Sequence, residues 1–313
     1  MMDQINNFTG NLNNLVTIVM PVKNGELYVK DAIESINRQT INPAKVILAD
    51  NNSTDRTIEI FQNNLKSSLK LEVYKSNKDI KSMNNFFRCI DKVETEYFCW
   101  LSHDDYFSDN WLEENLKVHF QNKDCITSFG ECISVYENHE RFYRTGINRN
   151  MHIPRAYKKG QLIKFLLERN LYHEIYEFGL HKTSLFKKAL LSEEKVNKLS
   201  SISPGGDSCI TLSLLSIGSL CNTQNTKFFK RDIYSSNGYK QSKTSVLYRI
   251  FVLELPWSYY VDITDWIVKT YKQRKIPTLL FLILTSRFQS FKKIILRLIK
   301  EIKNLKHNQF IFF

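Results

Sequence analysis

Short apolar segments alternate with helix-period segments over the first 120 residues, and this alternation constrains the fold more than any other feature. Four apolar runs, rich in β-branched and aromatic residues, fall at 15–20, 45–49, 70–74 and 97–101. They recur about every 25–30 residues, the length of a strand–helix–strand unit. After the second run, Ile58, Phe61 and Leu65 recur at helical spacing. The sequence therefore predicts an α/β fold, with a mostly parallel sheet flanked by helices.

The pattern weakens after residue 125. The segment 125–136 predicts two strands separated by Gly130 and Glu131, and 137–158 is polar without a regular period. Helical periodicity then predicts three further helices, at 161–169, 180–191 and 207–217.

Composition excludes several classes of protein. With 42% hydrophobic and 13% aromatic residues, the chain can bury a core and is not a disordered tail. The six cysteines include no C-x-x-C pair, and the polar start lacks the apolar segment of a signal peptide. We therefore expect reduced cysteines and a cytoplasmic protein. No apolar run reaches the roughly 18 residues that a membrane span needs.

Positive charge is concentrated near the end of the chain. Residues 269–307 hold eleven basic residues and one acid, Glu301, so this segment carries +10 of the net +12. From Phe288 to Leu305, apolar residues recur at helical spacing with lysine and arginine beside them. This pattern predicts a basic amphipathic helix that binds an anionic membrane surface, with no nucleic acid as partner. Packing of the helix on the rest of the protein remains the alternative.

Polar residues follow each of the four apolar runs. In open α/β sheets, ligands bind beyond the carboxyl ends of the strands. Asp104 and Asp105 follow the fourth run, and two adjacent carboxylates favour a hard cation such as Mg²⁺ or Mn²⁺. His103 is either a further ligand or a plain turn residue. Ser108 and Asp109 supply capping chemistry for the next helix, which leaves the two acids without that role.

Asp50 and Asn51 follow the second run. Their side chains suit hydrogen bonds to a nucleobase or ribose, and an Asx-turn is the alternative. The sequence contains neither a P-loop motif nor G-x-G-x-x-G. Phosphates bound at this edge would therefore be held by a cation rather than by a glycine-rich loop.

Several ordered segments resemble a known family. VTIVMPVKNGELYVKDAIESINRQT and KVILADNNSTDRT resemble the opening of the family 2 inverting glycosyltransferases. YFCWLSHDDYFSDNWLE is similar to their variant of the D-x-D motif. YEFGLHKTSLF and PGGDSCITLSLLSIGSL resemble their acceptor-side segments. The resemblance covers residues 15–240.

This resemblance implies a GT-A-type domain and a reaction. It divides the domain into a nucleotide-sugar-binding half at 13–125 and an acceptor-binding half at 126–245. The basic amphipathic, helical C-terminal extension predicted at 246–313 lies outside the resemblance. The resemblance implies inverting, metal-dependent transfer of a sugar from a nucleoside diphosphate donor, expected to be a UDP-sugar. The implied acceptor is a glycan or lipid-linked glycan in surface polysaccharide synthesis, on the cytoplasmic face of the membrane.

The resemblance also assigns site residues by position. Pro21, Val22 and Asn24 would lie along the nucleotide with Glu26 close by, and Asp50 and Asn51 would contact base and ribose. Asp104 would contact the ribose and the metal-diphosphate, Asp105 would bind the metal, and Asp207 would be the catalytic base. The alternative for Asp207 is a helix N-cap. Lys23, Asn51 and Gly206 depart from the commoner family residues.

Two other functions stay open. A nucleotidyltransferase also combines a nucleotide-binding sheet with metal-binding carboxylates, but it needs a cation on the triphosphate, and only Lys23 stands near the first turn. A non-catalytic, membrane-bound family member is the other alternative.

Overall fold

The predicted apolar runs form four parallel strands. In the computed structural model, which describes residues 15–137, 144–152, 156–161, 165, 173–190 and 206–232, these strands lie in the order β3-β2-β1-β4. Each pair is parallel, so the carboxyl ends share one edge. The strands are β1 (Val16–Val22), β2 (Lys45–Asp50), β3 (Leu71–Lys75) and β4 (Tyr97–Trp100).

Helices connect these strands, as the periodicity predicts. Helix α1 buries one face, with Ala32, Ile33 and Ile36 fully covered, because apolar residues three and four apart share a side of a helix. The connecting helices are α1 (Val29–Asn37), α2 (Thr57–Asn64) and α3 (Ser82–Phe87), with a 3₁₀ turn at Ile90–Lys92 and α4 (Trp111–Gln121) after β4.

The second half extends the same sheet in mixed orientation. Strand β8 (Leu180–Lys182) runs antiparallel to β4 and to β6 (Cys125–Glu137). Strand β9 (Ser219–Asp232) runs parallel to β6 and antiparallel to β5 (Tyr106–Phe107). The described strands thus form one nine-stranded sheet, with β7 paired to β6. The added elements are β5 (Tyr106–Phe107), β6 (Cys125–Glu137), β7 (Arg144–His152), β8 (Leu180–Lys182), α5 (Thr183–Leu190), α6 (Gly206–Ile217) and β9 (Ser219–Asp232).

Some predictions for this half are wrong. The segment 125–136 forms one strand rather than two, with its register to β9 shifting between Phe129 and Glu131. A Cβ at Gly130 would lie 2.5 Å from the Thr226 carbonyl oxygen, so glycine permits this close approach. The polar stretch 137–158 contains β7, and 180–182 is a strand that precedes the predicted helix.

The start of α4 also differs from the prediction. Its N-cap is Asn110, whose side chain makes no capping hydrogen bond, and the Leu112 N–H in the first turn instead donates to Gln39 Oε1 at 3.0 Å. The Asp109 carboxylate instead accepts a hydrogen bond of 3.1 Å from Arg38 Nε. The capping role predicted for Ser108 and Asp109 is therefore wrong.

Both faces of β4 are buried, with Tyr97 and Cys99 on one face and Phe98 and Trp100 on the other. Phe98 and Trp100 are completely buried, and the Trp100 ring meets the Phe186 ring edge-on at 5.3 Å between centroids. Aromatic contacts of this kind make β4 a rigid support for the residues that follow it.

Other predictions fall outside the described residues. They include the amphipathic segment within 246–313 and most of the helix predicted at 161–169. Among the helices that the structure describes, none combines the length and apolarity required to cross a bilayer. The described part of the chain contains no disulfide.

Candidate nucleotide-sugar site

Hydrogen bonds join the loop after β1 (23–28) to the loop after β2 (51–56). Asn24 has a positive φ of 50°, a conformation that asparagine tolerates better than most residues. Its backbone N–H donates to Ser53 Oγ at 2.9 Å, and its Oδ1 accepts from the Thr54 N–H at 2.9 Å. The Gly25 N–H donates to Thr57 Oγ1 at 2.8 Å. The two loops therefore form one preorganised edge of the site.

Glu26 strengthens the same junction. Its Oε2 accepts the Arg56 backbone N–H at 3.0 Å, and its Oε1 accepts Arg56 Nε at 3.0 Å. These hydrogen bonds lower the pKa of Glu26. In the structure, the predicted site residue Glu26 therefore joins the loop after β1 to the loop after β2.

Pro21 and Val22 belong to β1 rather than to the loop after it. They pair in register with Ala49 and Asp50 and are buried. The strand continues two residues beyond the predicted end at Met20, and this extension brings the loop after β1 beside the end of β2.

Asp50 ends β2 and is fully buried. Its carboxylate accepts the N–H of Ser53, three residues further along the chain, at 3.1 Å for Oδ2, so the side chain stabilises the turn after β2. Arg88 Nη2 donates to the Asp50 carbonyl oxygen at 2.7 Å. Asp50 is held on both its main chain and its side chain.

Asn51 connects to the loop after β3 (76–81). Its Nδ2 donates to the Ile80 carbonyl oxygen at 2.9 Å, and its Oδ1 accepts the Ile80 N–H at 2.9 Å. This pair of bonds fixes the amide orientation. If the amide were flipped, its NH₂ group would face the Ile80 N–H and its oxygen would face the Ile80 carbonyl oxygen. Lys23 forms an ion pair with Asp79 in the same loop. Three loops therefore meet around the end of β2.

Asp104 and Asp105 lie in the turn after β4, and they differ in burial. Asp105 is only 2% exposed, and its Oδ1 accepts the Arg231 backbone N–H at 2.8 Å. Asp104 is half-buried, and no hydrogen bond or ion pair to it is found within the described ranges. Burial, followed by the neighbouring Asp104 charge, raises the pKa of Asp105 to about 7. A cation at this turn would stabilise both carboxylates in their charged form.

The acid pair fits a divalent cation that also takes ligands from a substrate. No group of three or more acidic, histidine or cysteine side chains suited to a metal occurs in the part of the chain that the structure describes. Mg²⁺ is commonly held by one or two carboxylates together with phosphate oxygens and water. Two oxygen-bearing side chains at a strand end meet that requirement, and an all-protein cage is not needed.

His103 packs on the loop after β1. A Cβ at residue 25 would lie 2.6 Å from His103 Cδ2, so only glycine leaves room for the ring. This contact brings the acidic turn against the loop that carries Asn24 and Glu26.

Asp207 lies in the first turn of α6, which begins at Gly206. The placement of its side chain lies outside the described part of the structure. The prediction that Asp207 is the base stays a prediction.

Two arginines that contact this edge of the sheet could not be predicted from the sequence. Arg88 donates to main-chain carbonyls at the ends of β2 and β3, and Arg231 contacts Asp105 from 126 positions away. Neither stands in a recognisable motif, so no local signal identifies them.

The sequence matches the model of glycosyl transferase family 2 over residues 17–190, more than half of the chain. An uncharacterized glycosyltransferase of Haemophilus influenzae is 26% identical over 250 residues, covering 76% of this chain and 92% of that relative. Another, from Rickettsia typhi, is 33% identical over 132 residues, covering 41% of this chain and 40% of that relative. This chain therefore spans about two fifths of the Rickettsia protein.

Solved structures share the fold. The S. aureus TarS 1-349 structure in complex with UDP-GlcNAc has a TM-score of 0.58 at 15% identity, covering 88% of this chain and 73% of that one. The mannosyltransferase PcManGT from Pyrobaculum calidifontis, in complex with GDP-Man and Mn²⁺, has a TM-score of 0.51 at 12% identity, covering 87% and 68%. These similarities confirm the predicted GT-A-type architecture. Together with the family match, they show that the chain belongs to glycosyl transferase family 2.

Proposed function

We propose that this chain is an inverting, metal-dependent glycosyltransferase that moves a sugar from a nucleoside diphosphate donor to a glycan or lipid-linked glycan. The proposed donor is a UDP-sugar, and the proposed product belongs to a surface polysaccharide. The observation that carries the proposal is the acid pair at the carboxyl edge of the parallel strands, where buried Asp105 adjoins the more accessible Asp104.

The loops around the acid pair support a nucleotide donor. Asp50, Asn51, Asn24 and Glu26 are held by mutual or main-chain hydrogen bonds, so the edge is formed before a ligand arrives. Preorganisation of this kind reduces the entropic cost of binding. Pro21 and Val22 support the same edge from within β1.

The proposed chemistry is a direct displacement. An acceptor hydroxyl attacks the anomeric carbon, and the bond between that carbon and the diphosphate oxygen breaks as the new C–O bond forms. The Asp207 carboxylate takes the hydroxyl proton. Asp105, with Asp104 beside it, would hold a Mg²⁺ or Mn²⁺ ion, which supplies Lewis-acid stabilisation of the departing diphosphate.

Proteins of the same fold support the choice of donor and cation. TarS holds UDP-GlcNAc, and PcManGT holds GDP-Man with Mn²⁺. The nucleotidyltransferase alternative is less well supported, because Lys23, the cation that the sequence places beside the first turn, is in an ion pair with Asp79.

We further propose that the basic segment 269–307 places the enzyme on the cytoplasmic face of an anionic membrane. Its +10 charge and the helical spacing of the apolar residues in its sequence support this position. Attachment there would bring the site to a lipid-linked acceptor.

Thermal denaturation with UDP, GDP or ADP, with and without Mn²⁺, tests the donor and the cation. We expect UDP with Mn²⁺ to raise the melting temperature most, since a ligand at 100 times its Kd adds about 2.7 kcal/mol of stability. Equal effects of all three nucleotides would contradict the UDP assignment, and equal effects without Mn²⁺ would contradict metal dependence.

Asp105→Asn tests the site itself. Removing a metal ligand costs several kcal/mol of transition-state stabilisation, so we expect sugar transfer to fall roughly 10³-fold. Asp109→Asn is the matched control, because Asp109 is an exposed carboxylate that pairs with Arg38. Normal turnover by Asp105→Asn would refute the proposed site. The inverting mechanism is tested separately, by determining the anomeric configuration of the wild-type product by NMR.

A further inference from the structure

Arg231, near the end of β9, places a buried guanidinium beside the acidic turn. Its side chain is 1% exposed and forms an ion pair with Asp31 in the first turn of α1. The guanidinium carbon lies 5.0 Å from the centroid of the Tyr28 ring and 5.7 Å from that of Tyr106. An ion pair and aromatic faces are the partners that a buried guanidinium needs, because burial of an unpaired charge is costly.

These partners come from the elements that build the proposed donor site. Tyr28 and Asp31 stand at the start of α1, immediately after the loop that carries Asn24 and Glu26. Tyr106 directly follows Asp105 and begins β5. One guanidinium therefore links α1, the acidic turn and β9.

The main chain of Arg231 acts on the acid pair directly. Its N–H donates to Asp105 Oδ1 at 2.8 Å. Asp105 Oδ2 has no hydrogen-bond partner among the residues that the structure describes. The Arg231 amide therefore occupies one oxygen of the Asp105 carboxylate and leaves the other without a hydrogen bond to the described part of the chain.

We propose that Arg231 is a positioning residue for Asp105. The side chain, held by Asp31 and the two tyrosine rings, fixes the β9 backbone so that its amide binds Oδ1 and Oδ2 would be available to the divalent cation. This inference rests on the proposed function, because it takes Asp105 as a ligand of that cation. Outer-shell partners commonly orient metal ligands in this way.

The side-chain chemistry requires arginine. A planar guanidinium can stack on aromatic rings while its N–H groups pair with a carboxylate. A lysine ammonium is a compact charge without a stacking face, so Arg231→Lys preserves the charge and only part of the geometry.

Crystal structures of the metal-free full chain test the positioning. In Arg231→Met we expect the Asp105 carboxylate to move out of hydrogen-bond distance of the residue 231 amide. Arg38→Met is the control, because Arg38 pairs with Glu34 and Asp109 on the surface. An unmoved Asp105 carboxylate in Arg231→Met overturns the inference, whether or not the wild-type protein uses a metal.

Mn²⁺ affinity, measured by calorimetry in the presence of UDP, is the second readout. We expect a loss of about 10- to 100-fold in Arg231→Met, the range typical of outer-shell substitutions, and a smaller loss in Arg231→Lys. Asp31→Asn keeps Arg231 and removes its charged partner, so it tests the same link if Arg231→Met does not fold.

The outcomes separate the two proposals. Wild-type affinity in both Arg231→Met and Asp31→Asn overturns the positioning role while leaving the proposed function intact. Absence of Mn²⁺ binding by the wild-type protein counts against the proposed metal dependence, and the crystallographic comparison then decides the role of Arg231.

Discussion

His181 and His119 are buried as neutral imidazoles. His181 Nε2 donates to the Glu177 carbonyl oxygen at 2.7 Å, so its Nδ1 accepts the Thr127 hydroxyl at 2.9 Å. His119 Nε2 donates to the Leu180 carbonyl oxygen at 2.9 Å. Burial lowers the pKa of His181 to about 3 and that of His119 to about 4. Both rings support β8, which pairs with β4 just before the acidic turn.

These histidines predict a loss of stability in acid. The unfolded chain takes up their protons near pH 6.5 and the folded protein only near pH 3–4, so stability is complete above about pH 6.5 and falls as the pH drops below it. We expect a loss on the order of 1.4 kcal/mol per histidine per pH unit in urea unfolding. The measurement is made in the Asp105→Asn variant, because the raised pKa of Asp105 would change the stability with pH in the opposite direction. A His119→Gln variant with an unchanged pH slope would contradict this account.

Because the Asn51 amide attaches the loop after β3, we expect its substitution to weaken donor binding. Asn51→Asp replaces the N–H donor to the Ile80 carbonyl with an oxygen, which breaks one hydrogen bond and repels the carbonyl. The loop after β3 then loses this attachment, and we expect KM for the donor to rise roughly fivefold, since a hydrogen bond contributes about 1 kcal/mol. Steady-state kinetics with varied donor measures this.

Asn52→Asp is the control for that change. It adds the same charge one residue away, at a positive φ of 59° that aspartate tolerates. A similar KM increase in both variants would point to charge rather than to loop attachment.

The candidate residues at strand ends are predictable because each lies within a few positions of the end of an apolar run in the sequence. The residues that hydrogen-bond to them cannot be predicted in this way. Asn51 binds the main chain of Ile80, and Asp105 binds that of Arg231, and a main-chain partner leaves no residue signature. The sequence therefore locates the acid pair, whereas the difference in burial between Asp104 and Asp105 depends on packing between distant segments.

At the scale of elements, continuous apolar runs identify β1, β2 and β4, because parallel strands buried on both faces lack alternation. Strands β5 and β8 are only two and three residues long, and β7 is polar. Their extended conformation comes from pairing with β9, β4 and β6 rather than from their own composition. Those strands could not be predicted from the sequence.

The register shift between β6 and β9 makes Gly130 a position that should be sensitive to substitution. Gly130→Ala would bring a Cβ to 2.5 Å from the Thr226 carbonyl oxygen, so β6 and β9 would have to separate locally. We expect a destabilisation of about 1–3 kcal/mol, the range typical of overpacking, measured by urea unfolding. Gln224→Ala, at an exposed position of β9, is the control and should change stability by less than about 0.5 kcal/mol. Equal stabilities would show that the strands accommodate the methyl group.

For the whole molecule, the uneven distribution of charge predicts membrane attachment. In the full chain, we expect substitution of five cations by Gln to weaken binding to phosphatidylglycerol vesicles by at least about 100-fold, because each contributes about 1 kcal/mol near an anionic surface. Vesicle co-sedimentation measures the effect. The five positions are Lys292, Lys293, Arg297, Lys300 and Lys303.

A matched set of substitutions distinguishes the segment from general charge. Five exposed lysines elsewhere, replaced by Gln, lower the net charge equally and should leave vesicle binding nearly unchanged. If both sets weaken binding alike, the total charge and not the C-terminal segment is responsible. The control positions are Lys30, Lys66, Lys123, Lys159 and Lys188.

The link between Asp105 and the Arg231 amide has a consequence for biosynthesis. The parallel strands β1 to β4 are complete once residue 100 has left the ribosome, but the amide that orients Asp105 is synthesised more than a hundred residues later. A nascent chain therefore carries its acidic turn without its β9 partner while the next 126 residues are synthesised. Contacts between such distant positions form late in folding, so the hydrogen bond that orients Asp105 forms only after β9 has been made.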